Sequence, residues 1–383
     1  MPKRKHSERD GDRAAEARQK QQLYLIFDDW SGGYTIREVN LPSGPSHQTA
    51  VSGEVTEQRL PPPFFRLEAT RGRPNLFAYA FGTSIIAAHP QDPLTLGSPE
   101  IAMPIFDVRK RSFTFGPPLG LPHRPIFLPV GDTSLFALHT DCLELLRSSP
   151  RRNVAGGEWS WHLLPEPPFL PMGVVSYAVH PDGPSILLST ESLYSGSKGG
   201  TFTFHTNKSV WTKHGEWMLP FAGRAHLDGD LGILVGLSRD PETLGHLCSC
   251  DKASLNTCNS NTDECPAPAW KLCPKKLFSG NPGERHVSAT LVYLGSKSKF
   301  CLVECIFFEH VDRAHQVLKE GGKHGCYMYR LTKFSLSYDR KGDLQTKSRR
   351  VRYYKGSFPR ENGSKGGTGE SLPTTQSPPS LDG

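Results

Sequence analysis

The fold class this sequence predicts is all-β, a propeller of small four-stranded sheets, and three observations predict it. Five segments place two short apolar runs on either side of a glycine turn: "NLFAYAFGTSIIAAHP", "RPIFLPVGDTSLFALHT", "SYAVHPDGPSILLST", "GRAHLDGDLGILVGLS" and "SATLVYLGSKSKFCLVE". Each reads as a β-hairpin. Their central glycines, Gly82, Gly131, Gly183, Gly229 and Gly295, lie 49, 52, 46 and 66 residues apart, near the ~50-residue period of kelch repeats. A second design alternates with the hairpins: an apolar strand ends at a polar turn residue, and an aromatic follows six positions later.

Along the chain, residues 1–22 are charged and poor in large apolar side chains, and read as a disordered basic tail. Residues 23–356 read as one kelch-like domain. It opens with the second design, Asp28 stepping to Tyr34 within Tyr24–Leu41. Residues 42–63, "PSGPSHQTAVSGEVTEQRLPPP", read as a mobile connection. The six-residue step returns from Asp107 to Phe113 and from His205 to Trp211. From Asp251 to Trp270 it is 19, and deleting 13 residues of a polar, Cys-bearing excursion restores it. The same deletion brings the 66-residue interval to 53, so one insertion explains two irregularities. Residues 357–383, rich in Gly, Ser, Pro and Thr, read as a second disordered tail.

A propeller suits this pattern because four antiparallel strands cannot bury both faces alone, whereas sheets packed face to face around an axis can. A two-sheet sandwich also uses alternating strands but needs no ~50-residue period. Trp159, Trp211 and Trp270 are the aromatics expected between neighbouring blades. The expected count is six blades, with five as the alternative. The N-terminal unit lacks an inner hairpin and is expected to complete a blade with strands at 326–339 or 347–355, closing the ring by pairing N- and C-terminal strands.

The net charge of +7 belongs to the ends. Residues 1–22 carry seven Lys/Arg against four Asp/Glu, and residues 339–383 nine against five, which leaves the body neutral. A basic groove on the fold is therefore not expected. No apolar run approaches the ~20 residues of a membrane helix, and no apolar stretch follows the basic start as a secretory signal requires. The expected location is intracellular, cytoplasmic or nuclear, with "PKRKHSERD" similar to a nuclear-import signal. Nine cysteines there read as mostly reduced thiols.

In order, "YLIFDDWSGGYTIREVNLP", "SYAVHPDG", "GTFTFHT", "WTKHGEWMLPF", "VGLS" with "GHLCSCD", "PAWKL" and "ATLVYLG" resemble the domain of unknown function 1668 family, a kelch-like group expanded in grasses. The similarity spans about Leu23 to Phe308. It implies a plant source and a kelch-like propeller, and supplies no catalytic residue, substrate or partner.

The chemistry-bearing residues have plain structural readings. His246, Cys248, Cys250, Cys258, Cys265 and Cys273 fall within 28 residues, but C-x-C followed by x7, x6 and x7 lacks the paired knuckles that preorganise zinc ligands. In a strand, Cys248 and Cys250 share a face as small apolar side chains. Cys301 and Cys305 read as buried strand thiols. Asp28, Asp107, Asp182, Asp228 and Asp230 sit at turns, where backbone N–H groups occupy them. His89, His180, His205 and His214 read as turn or blade-edge residues. No nucleophile elbow, zincin pair or phosphate loop is present, so no catalytic, metal or cofactor residue is assigned. "KSRRVRYYKG" interleaves cations with tyrosines, which marks Arg349, Arg350 and Arg352 as the candidate nucleic-acid contacts. Exposed cations protecting a sheet edge are the competing reading.

The function expected from the sequence is a non-enzymatic scaffold that binds another protein through loops at one end of the blades. Its alternatives are an enzyme with a site in the central channel and a nucleic-acid binder using the basic C-terminal segment. The polar first 22 residues do not provide an F-box.

Overall fold

The computed structural model describes residues 22–28, 33–41, 57–68, 76–80, 82–88, 102–119, 125–131, 133–139, 141–149, 158–180, 185–194, 199–251, 266–295, 297–309 and 325–355. Residues 1–21 of the first expected tail, the whole second tail, most of the 42–63 connection, Gly183, Asp182, His89, Cys258 and Cys265 lie outside them, while Gln22 opens the first strand. The fold is all-β with several sheets, and among the described residues the only helical turns are two three-residue 3-10 segments.

The first sheet contains β1 (Gln22–Asp28) and β2 (Tyr34–Asn40). After β3 (Glu57–Arg59), β4 (Phe65–Leu67) joins β2, giving the order β1-β2-β4. Next come two four-stranded meanders: β5 (Leu76–Ala80), β6 (Ser84–Ala88), β7 (Met103–Asp107) and β8 (Ser112–Gly116), then β9 (Ile126–Val130), β10 (Ser134–His139), β11 (Cys142–Ser149) and β12 (Glu158–Leu163). Two more meanders share an eight-stranded sheet. They are β13 (Val174–Val179), β14 (Ser185–Thr190), β15 (Gly200–His205) and β16 (Val210–Gly215), and β17 (Gly223–Asp228), β18 (Ile233–Leu237), β19 (Leu247–Asp251) and β20 (Trp270–Leu272). Their first strands, β13 and β17, pair in parallel. The last meander is β21 (Glu284–Tyr293), β22 (Lys299–Glu309), β23 (Gly325–Tyr338) and β24 (Leu344–Lys355).

All five glycine-centred segments form antiparallel hairpins. Gly82, Gly131 and Gly295 have positive φ there, as tight turns require. In the fourth hairpin that role falls to Gly232 (φ +67) rather than Gly229.

The six-residue step also has a structural cause. Asp107 pairs with Ser112 and His205 with Val210, so each turn spans four residues. The fourth, Arg111 or Ser209, adopts the left-handed conformation, φ +53 and +52. That geometry sets Phe113 opposite Phe106 and Trp211 opposite Phe204. Trp270 keeps the register opposite Cys250, with the inferred excursion falling at 252–265, outside the described residues.

Two expectations about particular strands are corrected. The C-terminal strands β23 and β24 pair with β22 and each other, not with the N-terminal unit, whose third strand is β4. Long, matched strands outcompete a distant partner; the N- and C-terminal regions meet instead where β3 joins β24 in parallel. Trp270 is 53% exposed and fills no interface, whereas Trp159 and Trp211 do pack partly buried between sheets.

Strand alternation gives each meander two apolar faces, and the core is divided into clusters between sheets. Ile36 meets Ile85 and Phe106 between the first sheet and β5–β8. Met103 and Ile105 meet Leu135 and Leu146, and Leu128 and Leu138 meet Ile186, Phe202 and Phe204. Ala178 and Leu187 meet Ala225 and Leu234, while Val235 and Leu247 meet Leu291 and Phe300. Finally, Val303 and Leu331 of β21–β24 meet Leu25 and Val39 of the first sheet.

Candidate functional site

The β10–β11 hairpin brings together three donors that the sequence reading did not single out. His139, the last residue of β10, lies directly across from Cys142, the first of β11, so their side chains share a face. Glu144, two positions on, returns to that face. It is the face whose Leu135 and Leu146 pack against β5–β8. One nitrogen of His139, the Cys142 Sγ and one Glu144 carboxylate oxygen all lie within 4.8 Å of one another. His139 Nε2 is 2.8 Å from Glu144 Oε2, and Cys142 Sγ is 3.6 Å from either ring nitrogen. His139 is buried, while Cys142 and Glu144 are half-buried, so the cluster is anchored on one side and open on the other. Burial, then the charges of Glu144, Asp141 and Glu166, push the Cys142 thiol up to about 11. It is no free thiolate nucleophile at neutral pH. The same carboxylates favour a cation at this point.

Among the other described thiols, Cys248, Cys250, Cys273 and Cys301 are buried and Cys305 is half-buried. Cys248 and Cys250 lie in the cluster between β13–β16 and β17–β20, as same-face strand residues should, and Cys273 lies in the cluster on the other side. Burial pushes Cys250, Cys301 and Cys305 up to about 12. His246 Nδ1 lies 3.0 Å from the Cys273 carbonyl.

The turn carboxylates behave mostly as expected. Asp107 Oδ1 accepts from the Arg109 and Lys110 backbone N–H groups at 2.9 and 2.8 Å. Burial pushes its carboxyl up, but these bonds and the Lys110 charge outweigh it and hold it low. Asp228 Oδ1 accepts from Asp230 and Leu231 within its own turn. Asp230 is spent across the interface, on Lys297 N–H at 2.5 Å and Ser298 N–H at 3.3 Å. His214 is buried with Nε2 2.7 Å from the Thr203 hydroxyl; burial and His205 lower its pKa.

Arg349 donates to the Leu277 carbonyl at 2.9 Å and to that of Lys276 at 3.4 Å. Arg352 donates to the Asn40 carbonyl at 2.8 Å. Arg350 sits opposite Lys333 on β23. The three candidate nucleic-acid residues thus share one strand, with two guanidinia directed at neighbouring backbone.

A buried ionic cluster was also missed. Arg330 of β23 pairs with Glu304, its cross-strand neighbour on β22, and with Glu284 at 3.2 Å. His286 Nδ1 lies 3.1 Å from Glu304, its ring stacked on Phe278. Burial opposes the Arg330 charge, yet Glu304 raises its pKa overall. The signal was a lone Glu in "CLVECIFF" and a lone Arg in "CYMYRLTKF", two apolar strands each carrying one buried charge.

Fold and site together define an all-β, multi-sheet protein with a His/Cys/Glu donor cluster on a hairpin turn. By sequence, the chain belongs to the family described as protein of unknown function (DUF1668), whose model matches residues 20–354. No curated protein matches it. Similar solved structures include a structural genomics protein of unknown function from Bacteroides thetaiotaomicron VPI-5482, at 8% identity over 76% of this chain and TM-score 0.36. This chain spans 62% of that protein. The complex of KlAtg21 with the coiled-coil of AgAtg16 matches at 11% identity over 87% of this chain and 97% of the other, TM-score 0.40. A luciferin-regenerating enzyme matches at 9% over 87% and 95%, TM-score 0.35. Likenesses this distant transfer no activity. No helix among the described residues is long and apolar enough to cross a membrane.

Proposed function

We propose that the sheets close into a six-bladed ring and that the domain is a metal-dependent enzyme of hydrolytic type, its cation held by His139, Cys142 and Glu144. The ring reading is supported by six clusters, five between consecutive sheets and one between the two meanders of the eight-stranded sheet, the last returning to the first. The observation that carries the function is the convergence of an imidazole nitrogen, a thiol and a carboxylate within 4.8 Å. Zn²⁺ takes this mixed N/S/O set at about 2.0–2.3 Å; to admit it, the His139–Glu144 pair, 2.8 Å apart, would have to open. Three protein ligands would leave a fourth position for water, and a bound ion would supply the acidification that readies it for attack on a polarised carbonyl or phosphoryl group.

The test is zinc competition against a chromophoric chelator using the full chain, alongside a panel of chromogenic esters and phosphodiesters. One ion per chain is expected, lost in the His139→Ala/Cys142→Ser double variant, together with metal-dependent turnover. Binding that survives the double variant removes this site. Binding without turnover leaves a metal-stapled scaffold, non-enzymatic as expected from the sequence but with an ion that the sequence did not assign.

A further inference from the structure

The outer edge of the β5–β8 sheet presents a different kind of surface. Among the described residues β8 is an edge strand, hydrogen-bonded only to β7 within its sheet, and Ser112 to Phe115 are exposed in succession. Phe113 is 40% and Phe115 66% exposed, their rings stacked 6.4 Å apart with planes 17° from parallel. The turn feeding the strand is Arg109-Lys110-Arg111, all exposed. The hairpin contains one carboxylate, Asp107, already used by two turn N–H groups and by Lys110 at 3.5 Å. An unpaired edge carrying a large apolar side chain is a liability that proteins blunt with charge or cover. The equivalent strand β16 has Lys213 where β8 has Phe115.

We propose that β8 is a docking edge for an extended acidic segment of a partner protein, which adds as a fifth strand, lays an apolar side chain on Phe113 and Phe115, and sets carboxylates against Arg109 and Arg111. The fold already performs this addition once: β3, a three-residue strand from a distant part of the chain, extends the edge strand β24 in parallel. Main-chain hydrogen bonds would supply affinity, and the aromatic pair with the basic turn would supply selection. A protein segment fits better than a nucleic acid because an open strand edge offers N–H and C=O groups in a row, which a nucleic-acid backbone cannot pair. The body of the chain is also neutral overall, which gives a polyanion no general attraction.

The test is selection of a displayed library of random 12-residue segments on the full chain, followed by fluorescence anisotropy with the selected peptides. The expected consensus is acidic with alternating apolar positions. Phe115→Lys and Arg109→Ser, both at exposed positions, are expected to weaken binding at least tenfold each without changing the melting curve. Proline placed at alternate peptide positions is expected to abolish binding by removing ladder donors. A neutral or basic consensus, failure to select any segment, binding indifferent to both variants, or equal displacement by oligo-dT would each overturn the proposal.

Discussion

In the β7–β8 hairpin Phe106 faces Phe113 with ring centroids 5.2 Å apart, and in β15–β16 Phe204 faces Trp211 at 4.9 Å. Each pair receives a third ring from a proline-rich segment. Phe65 lies 4.3 Å from Phe106 and 5.0 Å from Phe113, and Phe169 lies 5.2 Å from Trp211. Turn length, left-handed fourth residue and register agree as well. The outcomes differ. Trp211 joins a large cluster and donates its indole N–H to the Pro165 carbonyl at 3.0 Å, whereas Phe113 is left half open beside a basic turn. Two copies of one unit thus separate what the repeat requires from what one copy adds, and the addition on β8 is a surface rather than a core.

The comparison breaks most visibly at its aromatics. Trp211→Ala is expected to destabilise the protein by about 3 kcal/mol, through lost transfer energy and the cavity left beside Phe169 and Phe204. Phe113→Ala should cost about 1 kcal/mol, because much of that ring already meets water. Urea unfolding of both variants measures the difference; equal losses would mean that the two rings are equally embedded.

The turns sharpen the likeness. Arg111 and Ser209 hold left-handed backbone that costs a non-glycine residue roughly 1–2 kcal/mol. Replacing either by Gly relieves that strain but adds unfolded-state entropy, for a net gain of about 0.5 kcal/mol. The expected result is two similar small stabilisations in thermal melts. A gain at one turn and a loss at the other would show that the shared dihedrals conceal different strain.

Much of this architecture was legible because it is local. A four-residue turn ending in left-handed backbone forces the aromatic to fall six places after the turn residue, so the repeat could be read without coordinates. The insertion was legible for the same reason. What depends on register between distant strands was not. Glu304 and Arg330 meet only because β22 and β23 align, and the C-terminal strands could not be matched to β22 rather than to the N-terminal unit from their patterns. Trp270 carries the repeat's aromatic, but spacing cannot say which aromatic a neighbouring sheet will cover. The donor cluster was hidden differently. His139-x-x-Cys142-x-Glu144 lies in plain view, yet its donors converge only when a hairpin turn folds the histidine back opposite the cysteine.

The smallest stability effect tests the difference most directly. Phe115→Lys gives β8 the residue that β16 carries at Lys213, and since Phe115 is largely in water the folded state should change by less than about 0.5 kcal/mol. On β16 that lysine pairs with Glu216 at 2.8 Å; on β8 it would add a fourth cation next to Arg109, Lys110 and Arg111. If the aromatic stack exists for a partner, the variant should melt with the parent while losing association. A marked drop in melting temperature would instead place Phe115 among the residues that hold the sheet, and the contrast between the two hairpins would become one of degree.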